Sequence, residues 1–424
     1  MSSSGSTGQR RRTPEQGPRV LKAAPPSRRL EGRKLWFVGI GGAGLSGYAV
    51  LAKAWGAEVA GWDRVETPYL EHVRAAGIPV TIEPEPRGAP EGFEAIVSTA
   101  YAGRVPGRTR AELLAELVSL QDSIVVAGAH GKTTTAAMIA FVLDRLGRDP
   151  AFLIGGEVPQ LGGNARAGSG WLVVEGDESD RTIEHLRPKI AVVTNVDLDH
   201  HSEFASRAEV EELFERWLSE VPQVVRGDEL EPLEGGLAVP GEHNRRNAAA
   251  ALAALDLAGV PAEDARGALA EFGGTGRRLE RRGEAGGVRV LDDYAHHPAE
   301  IAATVAAARE DANGGRVLVL FQPHLFSRTR HLARDLAGAL AAADAVAVAD
   351  VYPAREEPID GVTGKLVVDA LAETRPGFPV AWTPQVGDGA RFIARRAREG
   401  DIVLTVGAGD VDRVIPDLLE ELAR

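Results

Sequence analysis

Residues Val125 to Thr135 constrain this 424-residue chain more than any other stretch. The apolar run Val125-Val126-Ala127 reads as a strand, and Gly128-Ala129-His130-Gly131 reads as a tight turn. The turn delivers Lys132 and then Thr133-Thr134-Thr135 to the start of an apolar helix, expected over 136–146. Backbone N–H groups at a helix N-terminus attract phosphate oxygens, and the helix dipole adds to the attraction. Lys132 is placed to sit against the outer phosphates of a nucleoside triphosphate, with the Thr133 hydroxyl reaching a magnesium ion. The strict eight-residue motif fails, since its first glycine would fall at Val126; the shorter G-x-x-G-K-T-T stands instead. The plain alternative is a glycine-bearing βα connection with an exposed lysine.

The length predicts about two to four domains. A formal net charge of −13 argues against nonspecific nucleic-acid binding. With no cysteine, disulfides, thiolate metal sites and cysteine nucleophiles are excluded. Lysine is scarce (Lys22, Lys34, Lys53, Lys132, Lys189 and Lys365), which narrows the choice of a catalytic lysine. No apolar run approaches the ~20 residues that cross a bilayer. Arg10, Arg11 and Arg12 have no apolar segment behind them, so a secretory signal is not expected and a cytoplasmic location is.

Residues 1–30 are rich in Ser, Gly, Pro and Arg and read as a disordered tail. Strand and helix patterns then alternate through three regions, 31–121, 122–274 and 275–424. Alternation of this kind predicts α/β units with largely parallel sheets. In the first region strands are expected at 34–38, 58–62 and 95–98, with helices over 46–55, 69–76 and 109–120. In the second, strands are expected near 170–175 and 190–194 and a helix over 247–257. In the third, strands are expected at 288–292, 316–321, 345–349 and 401–405.

A second glycine turn, Gly39-Ile40-Gly41-Gly42-Ala43-Gly44, follows the first strand, and Asp63 comes 19 residues after Gly44. This is the pyrophosphate-binding G-x-G-x-x-G pattern in its proper setting, with Asp63 placed to accept from a ribose or a base. Alone it favours a nicotinamide enzyme, but a UDP-sugar carries the same pyrophosphate. Two phosphate-binding turns about ninety residues apart fit poorly with a simple dehydrogenase. Triphosphate-driven chemistry on a nucleotide-linked substrate accounts for both.

From about Leu35 onward the chain resembles the Mur ligase family. The resemblance rests on Gly39-Ile40-Gly41-Gly42-Ala43-Gly44-Leu45-Ser46-Gly47, on Gly128 to Thr135 and on Glu175-Gly176-Asp177-Glu178-Ser179-Asp180. It continues in Thr194-Asn195-Val196-Asp197-Leu198-Asp199-His200, His243-Asn244-Arg245-Arg246-Asn247-Ala248-Ala249 and Gly274-Thr275-Gly276-Arg277-Arg278. It ends in Asp292-Asp293-Tyr294-Ala295-His296-His297-Pro298 and Phe321-Gln322-Pro323-His324.

The resemblance implies three domains: a Rossmann-like UDP-sugar domain, a central ATPase-like domain and a Rossmann-like domain for the amino acid. It implies a ligase using ATP and Mg²⁺ to join the carboxylate of UDP-N-acetylmuramate to L-alanine in peptidoglycan synthesis, as a monomer or homodimer. ATP is assigned to Gly128, His130, Gly131, Lys132, Thr133, Thr134, His243, Asn244, Asn247, Arg278 and Asp293, with Arg277 also near the phosphates. Lys132, His200 and Arg278 are the implied catalytic groups, and Thr133, Glu175 and His200 the implied metal ligands. Gly39, Gly41, Gly42, Ala43, Gly44, Ser46, Asp63, Ser98 and Thr99 are assigned to the UDP-sugar, and Tyr294, His296 and Arg328 to L-alanine. Plainer readings stand beside these: a helix cap for Asn244, a solvated turn carboxylate for Glu175, a mere acidic loop for Asp177, Glu178 and Asp180.

The chain departs from the family pattern in three places. Residues 201–242 are short, so a small peripheral sheet is expected to be missing, and the segment holds no lysine. Leu325 stands where some relatives have Arg. Residues 80–86 lack a Gly-His often found there. The rival readings are a ligase that attaches a recycled peptide to the same sugar and a noncatalytic nucleotide-binding regulator.

Overall fold

Parallel strands covered on both faces need nearly continuous apolar runs, and Leu35 to Val38 is such a run at the middle of the first sheet. The computed structural model describes residues 29–198, 203–354 and 356–424. The first sheet comprises β1 (Lys34–Val38), β2 (Glu58–Asp63), β3 (Val80–Ile82), β4 (Glu94–Val97) and β5 (Arg108–Thr109). All pairs are parallel, in the order β3-β2-β1-β4-β5. The chain reverses direction of travel between β1 and β4, which opens a crevice at their C-terminal ends. The Gly39 turn leaves β1 there, and Ser98 and Thr99 leave β4 beside it. The following helix, Ala43–Ala54, starts three residues before the expected Ser46, because the glycine turn itself supplies its N-cap at Gly42. Helix Arg110–Ser119 is capped by Thr109, whose side chain accepts from Glu112 N–H while Glu112 accepts from Thr109 N–H.

The second sheet comprises β6 (Ser123–Ala127), β7 (Ala151–Val158), β8 (Gly163–Arg166), β9 (Leu172–Glu175), β10 (Ile190–Val193) and β11 (Gln223–Arg226). The order is β11-β10-β6-β9-β7-β8, with only β7 and β8 antiparallel. β6 is therefore flanked by β10 and β9, which places residues 194–195 and Glu175 on either side of its turn. Helix Lys132–Arg145 runs buried behind the sheet and packs against helix Glu242–Leu257. Each fully buried Leu, Ile, Phe or Met in that layer contributes about 1.5–3 kcal/mol relative to exposure. The second helix begins five residues before the expected Asn247; its polar first turn, His243 to Arg246, hid the start. Among the described residues of 203–242 the structure holds helix Arg207–Leu218 and β11 but no separate sheet.

The third sheet comprises β12 (Glu280–Ala285), β13 (Val288–Asp293), β14 (Val317–Phe321), β15 (Ala345–Val348), β16 (Val380–Trp382) and β17 (Ile402–Val406). Its order is β12-β13-β17-β14-β15-β16, antiparallel only at β12–β13. The chain enters this unit through Arg277 and Leu279, both with positive φ (55° and 50°). Arg277, expected near the phosphates, is also engaged inside the third domain. Its guanidinium donates to Asp292 (2.8 Å), Gly409 O (2.9 Å) and Gly407 O (2.7 Å), so it fastens the hinge to β13 and to the turn after β17. No helix among the described residues is long and apolar enough to cross a membrane.

Candidate active site at the seam of three domains

The turn after β6 is held open by its neighbours. Gly131 has φ +82°, and a Cβ there would lie 2.3 Å from Asn247 Oδ1, so only glycine lets helix Glu242–Leu257 approach this closely. From β10, Asn195 Oδ1 accepts from His130 N–H (3.0 Å), and Thr194 Oγ donates to His130 O (2.6 Å). The helix then starts at Lys132 with its first N–H groups pointing into the turn. Lys132 Nζ donates to Gly128 O (2.5 Å) and lies 3.1 Å from both oxygens of Glu178, itself 3% exposed. Burial alone would lower the lysine's pKa, but Glu178, Asp177 and Glu175 outweigh it and hold the ammonium above its usual range.

Thr133 Oγ donates to Glu175 (3.0 Å) at the end of β9, and Gly155 N–H donates to the same carboxylate. Burial raises the Glu175 pKa, offset only in part by Gly155, Lys132 and Thr133. Among the described residues no group of three or more His, Asp or Glu is arranged to hold a metal. His200, the third implied ligand, lies outside the described residues.

A cavity of about 290 Å³ opens behind the turn. His130, Gly131, Thr133, Thr134, His243, Asn244, Asn247, Arg278 and Asp293 line it, so most of the residues assigned to ATP meet there. Lys132 instead faces the neighbouring cavity, and Gly128 lines neither. Asn244 is not a helix cap. Gly241 holds that position, and Asn244 lies one turn in, donating to Pro240 O (2.6 Å). Asp293 accepts from Leu279 and Ala295 N–H (2.8 Å each), and burial pushes its pKa up to about 6 despite Arg278.

Burial, then Arg278 and Arg245, lowers the His243 pKa to about 4, so its imidazole is neutral at neutral pH. The folded state refuses a proton that the unfolded chain accepts near 6.5. This residue's contribution is therefore lost as pH falls from about 6.5 toward about 4. Replacing His243 by Gln should shrink the stability loss between pH 7 and pH 5 by up to about 2 kcal/mol. Urea unfolding at the two pH values measures this, and an unchanged loss would contradict it.

A larger cavity, about 760 Å³, adjoins the first and shares Gly131, Thr133, Arg278 and Glu300 with it. Gly44 and Tyr48 reach it from the first domain, Lys132 and Glu175 from the second, and Tyr294 and His296 from the third. The guanidinium groups of Arg277 and Arg278 each lie over the Tyr294 ring, 5.2 and 5.3 Å from its centre. Arg328 does not line this cavity. It is buried, with Nη1 3.3 Å from His324 Nδ1, and the His324 ring lies 5.9 Å from that of His296. Leu325, at the position of a relative's Arg, has φ +70° and donates its N–H to Tyr352 O.

Of the residues assigned to the UDP-sugar, only Gly44 lines the larger cavity. Asp63 is buried, and its oxygens accept from Gly41 and Arg64 N–H (2.7 Å each). It shapes the glycine turn from within instead of facing open space. Ser46 is buried, and Ser98 and Thr99 stand across the turn. A Cβ on Gly39 (φ +86°) would lie 2.7 Å from Ser98 Oγ.

Three residues of the site have no role assigned to them from the sequence. Glu178, the partner of Lys132, sat inside an acidic string where no spacing rule singles it out. Arg110 ties the first domain to Asp180 (2.9 Å) and Asp177 (3.8 Å) of the second, a pairing between distant segments. Glu300 follows His297 by three positions, a capping-box spacing that was legible.

These features define a three-domain α/β protein with the glycine turn after β6 at the meeting point of all three units. Family models match in the same order: "Mur ligase family, catalytic domain" over 34–121, "Mur ligase middle domain" over 126–231 and "Mur ligase, glutamate ligase domain" over 277–409. The chain belongs to the Mur ligase family. It is 39% identical to the UDP-N-acetylmuramate–L-alanine ligase of Streptomyces coelicolor, covering 92% of this chain and 97% of that one. With the enzyme of the same description from Renibacterium salmoninarum the identity is 40%, over 92% and 96%. The crystal structure of the UDP-N-acetylmuramate-alanine ligase of Thermotoga maritima superimposes with a TM-score of 0.75 at 28% identity, covering 91% and 98%.

Proposed function

We propose that this protein is an ATP-dependent ligase that forms the amide bond between the carboxylate of UDP-N-acetylmuramate and L-alanine, acting in the cytoplasm in peptidoglycan synthesis. The observation that carries the proposal is the pair of adjoining cavities, where the Lys132 turn meets Gly44 of the first domain and Tyr294 and His296 of the third. The relatives at about 40% identity carry that activity in their descriptions, which supports L-alanine over a recycled peptide.

A carboxylate and an amine do not condense in neutral water. In the proposed reaction a carboxylate oxygen attacks the γ-phosphorus of ATP, the bond to ADP breaks, and an acyl phosphate forms. The amine nitrogen then attacks the acyl carbon, loses a proton, and phosphate departs. Positioning and charge neutralisation supply most of the acceleration in such transfers. Lys132 stabilises negative charge on the γ-phosphate, and Arg278, facing both cavities, follows that charge as it moves toward the acyl group. The neutral His243 with Asn244 and Asn247 receives the uncharged base, and Asp293 the rest of the nucleoside. Tyr294 and His296 border the space for L-alanine; Arg328, held behind His324, offers a forked partner for its carboxylate.

The Thr133 hydroxyl and the Glu175 carboxylate fit a magnesium ion, since both are oxygen donors, 3.0 Å apart, on a partly buried acid that lacks a full countercharge. His200 is proposed as a further ligand. When bound, the ion supplies positive charge to the phosphates and the sugar carboxylate. The test is product formation from ATP, Mg²⁺ and UDP-N-acetylmuramate, with L-alanine or the murein tripeptide as amine. The expected result is amide product and phosphate with L-alanine; product only with the peptide, or with neither, would overturn the proposal.

A further inference from the structure

We infer that Glu300 is a positioning residue that couples the phosphate turn to the amine side of the site, holding the second and third domains in register. The inference rests on the function proposed above for what it predicts of turnover, but its structural basis is independent of ligands. Glu300 lies in the first turn of helix Pro298–Ala312, in the third domain. Its two oxygens divide the work. Oε2 accepts from the backbone N–H of His296 (3.1 Å) and His297 (3.3 Å) and lies 3.4 Å from His296 Nδ1. Oε1 faces the other way, 3.3 Å from Nδ1 of His130 in the phosphate turn and 3.9 Å from Arg278 Nη1 at the hinge. The His130 ring also stacks on His297 at 5.0 Å, a second contact across the same seam. Glu300 borders both cavities, so a shift of its carboxylate moves groups on the triphosphate side and on the amine side together.

A capping role alone does not account for this arrangement. Capping boxes use Gln as readily as Glu, since either accepts from the cap N–H. The charge is superfluous for the cap but not for two imidazoles and a guanidinium. Burial would raise the pKa of this acid, yet His296, His130 and Arg278 together hold it well below the usual carboxylate range, so the charge persists across physiological pH. Glu300→Gln therefore keeps size and cap and removes only the coupling charge.

The test uses the full-length protein and the variants Glu300→Gln, Glu300→Asp, His130→Asn and the double variant Glu300→Gln/His130→Asn. Small-angle scattering without ligand should show a more open domain arrangement for Glu300→Gln than for the parent, with Glu300→Asp between them. In turnover, KM for ATP and KM for L-alanine should rise together, each about tenfold for a lost charged contact, while KM for the UDP-sugar stays within about twofold. The double variant should be no worse than the more impaired single, because both remove one contact. Unchanged scattering of Glu300→Gln, or a fall in kcat with both KM values untouched, or losses that multiply in the double variant, would overturn the inference. If the parent protein itself forms no product, the proposed function fails, and the scattering comparison alone decides the role of Glu300.

Discussion

Lys132→Ala is expected to reduce turnover about a thousandfold, the order of loss when one preorganised charge donor is removed from a transition state. UDP-N-acetylmuramate affinity should stay within about twofold. The asymmetry follows from the layout. Lys132 belongs to the turn after β6, whereas the glycine turn proposed for the UDP-sugar leaves β1 in another sheet. The lysine also balances its surroundings: Glu178, Asp177 and Glu175 all act on it. Without it, the wall of the larger cavity beside this turn is left acidic and repels the phosphates proposed to bind there. Lys132→Arg should not restore the rate, since a planar fork cannot replace a compact ammonium seated 2.5 Å from Gly128 O. Steady-state phosphate release and calorimetric titration with the UDP-sugar measure the two quantities. Equal losses in both would contradict the division of labour.

Arg277→Met should destabilise the third domain by about 3–5 kcal/mol, the cost of stranding one member of a buried ion pair. Asp292 is fully buried, and Arg277 supplies its cation while also satisfying the carbonyls of Gly407 and Gly409. Methionine fills similar volume and satisfies none of them. Thr405 still donates to Asp292 (2.6 Å), which is too little to hold an ionised carboxylate in an apolar layer. Arg277→Lys should fall between, because it keeps the charge and loses the fork. In denaturant the transition of the third domain should move to lower concentration while that of the central domain holds. Coincident, unshifted transitions would contradict the role assigned to this arginine.

The sequence was most readable where one local rule sufficed. The apolar runs became the interior strands β1, β6, β10, β14, β15 and β17, and both glycine turns sit at strand ends as expected. Strands β3, β5, β7, β8, β11, β12 and β16 were missed because they are sheet-edge or partly exposed, with Gly155-Gly156 in β7 and charged residues through β12. Side-chain partners were harder still. Arg277 and Arg278 are adjacent in the chain and look interchangeable, yet Arg277, on a left-handed backbone, is bonded into the third domain and borders only the larger cavity, while Arg278 faces both. Asp63 stood at the right spacing for a ribose, but a short acid at a strand end can also bond the turn above it, and in this chain it does. The partners of Lys132 and His130, Glu178 and Glu300, lie 46 and 170 positions away, and no local pattern reports such a distance.

The central claim is that ATP activates the sugar-borne carboxylate through an acyl phosphate. Isotope transfer tests it most directly. UDP-N-acetylmuramate labelled with ¹⁸O in both carboxylate oxygens is turned over with ATP, Mg²⁺ and L-alanine, and the released phosphate is analysed by mass. The account predicts one labelled oxygen in each phosphate formed, carried across when the acyl–oxygen bond breaks. Phosphate that contains no label while the amide forms would contradict it.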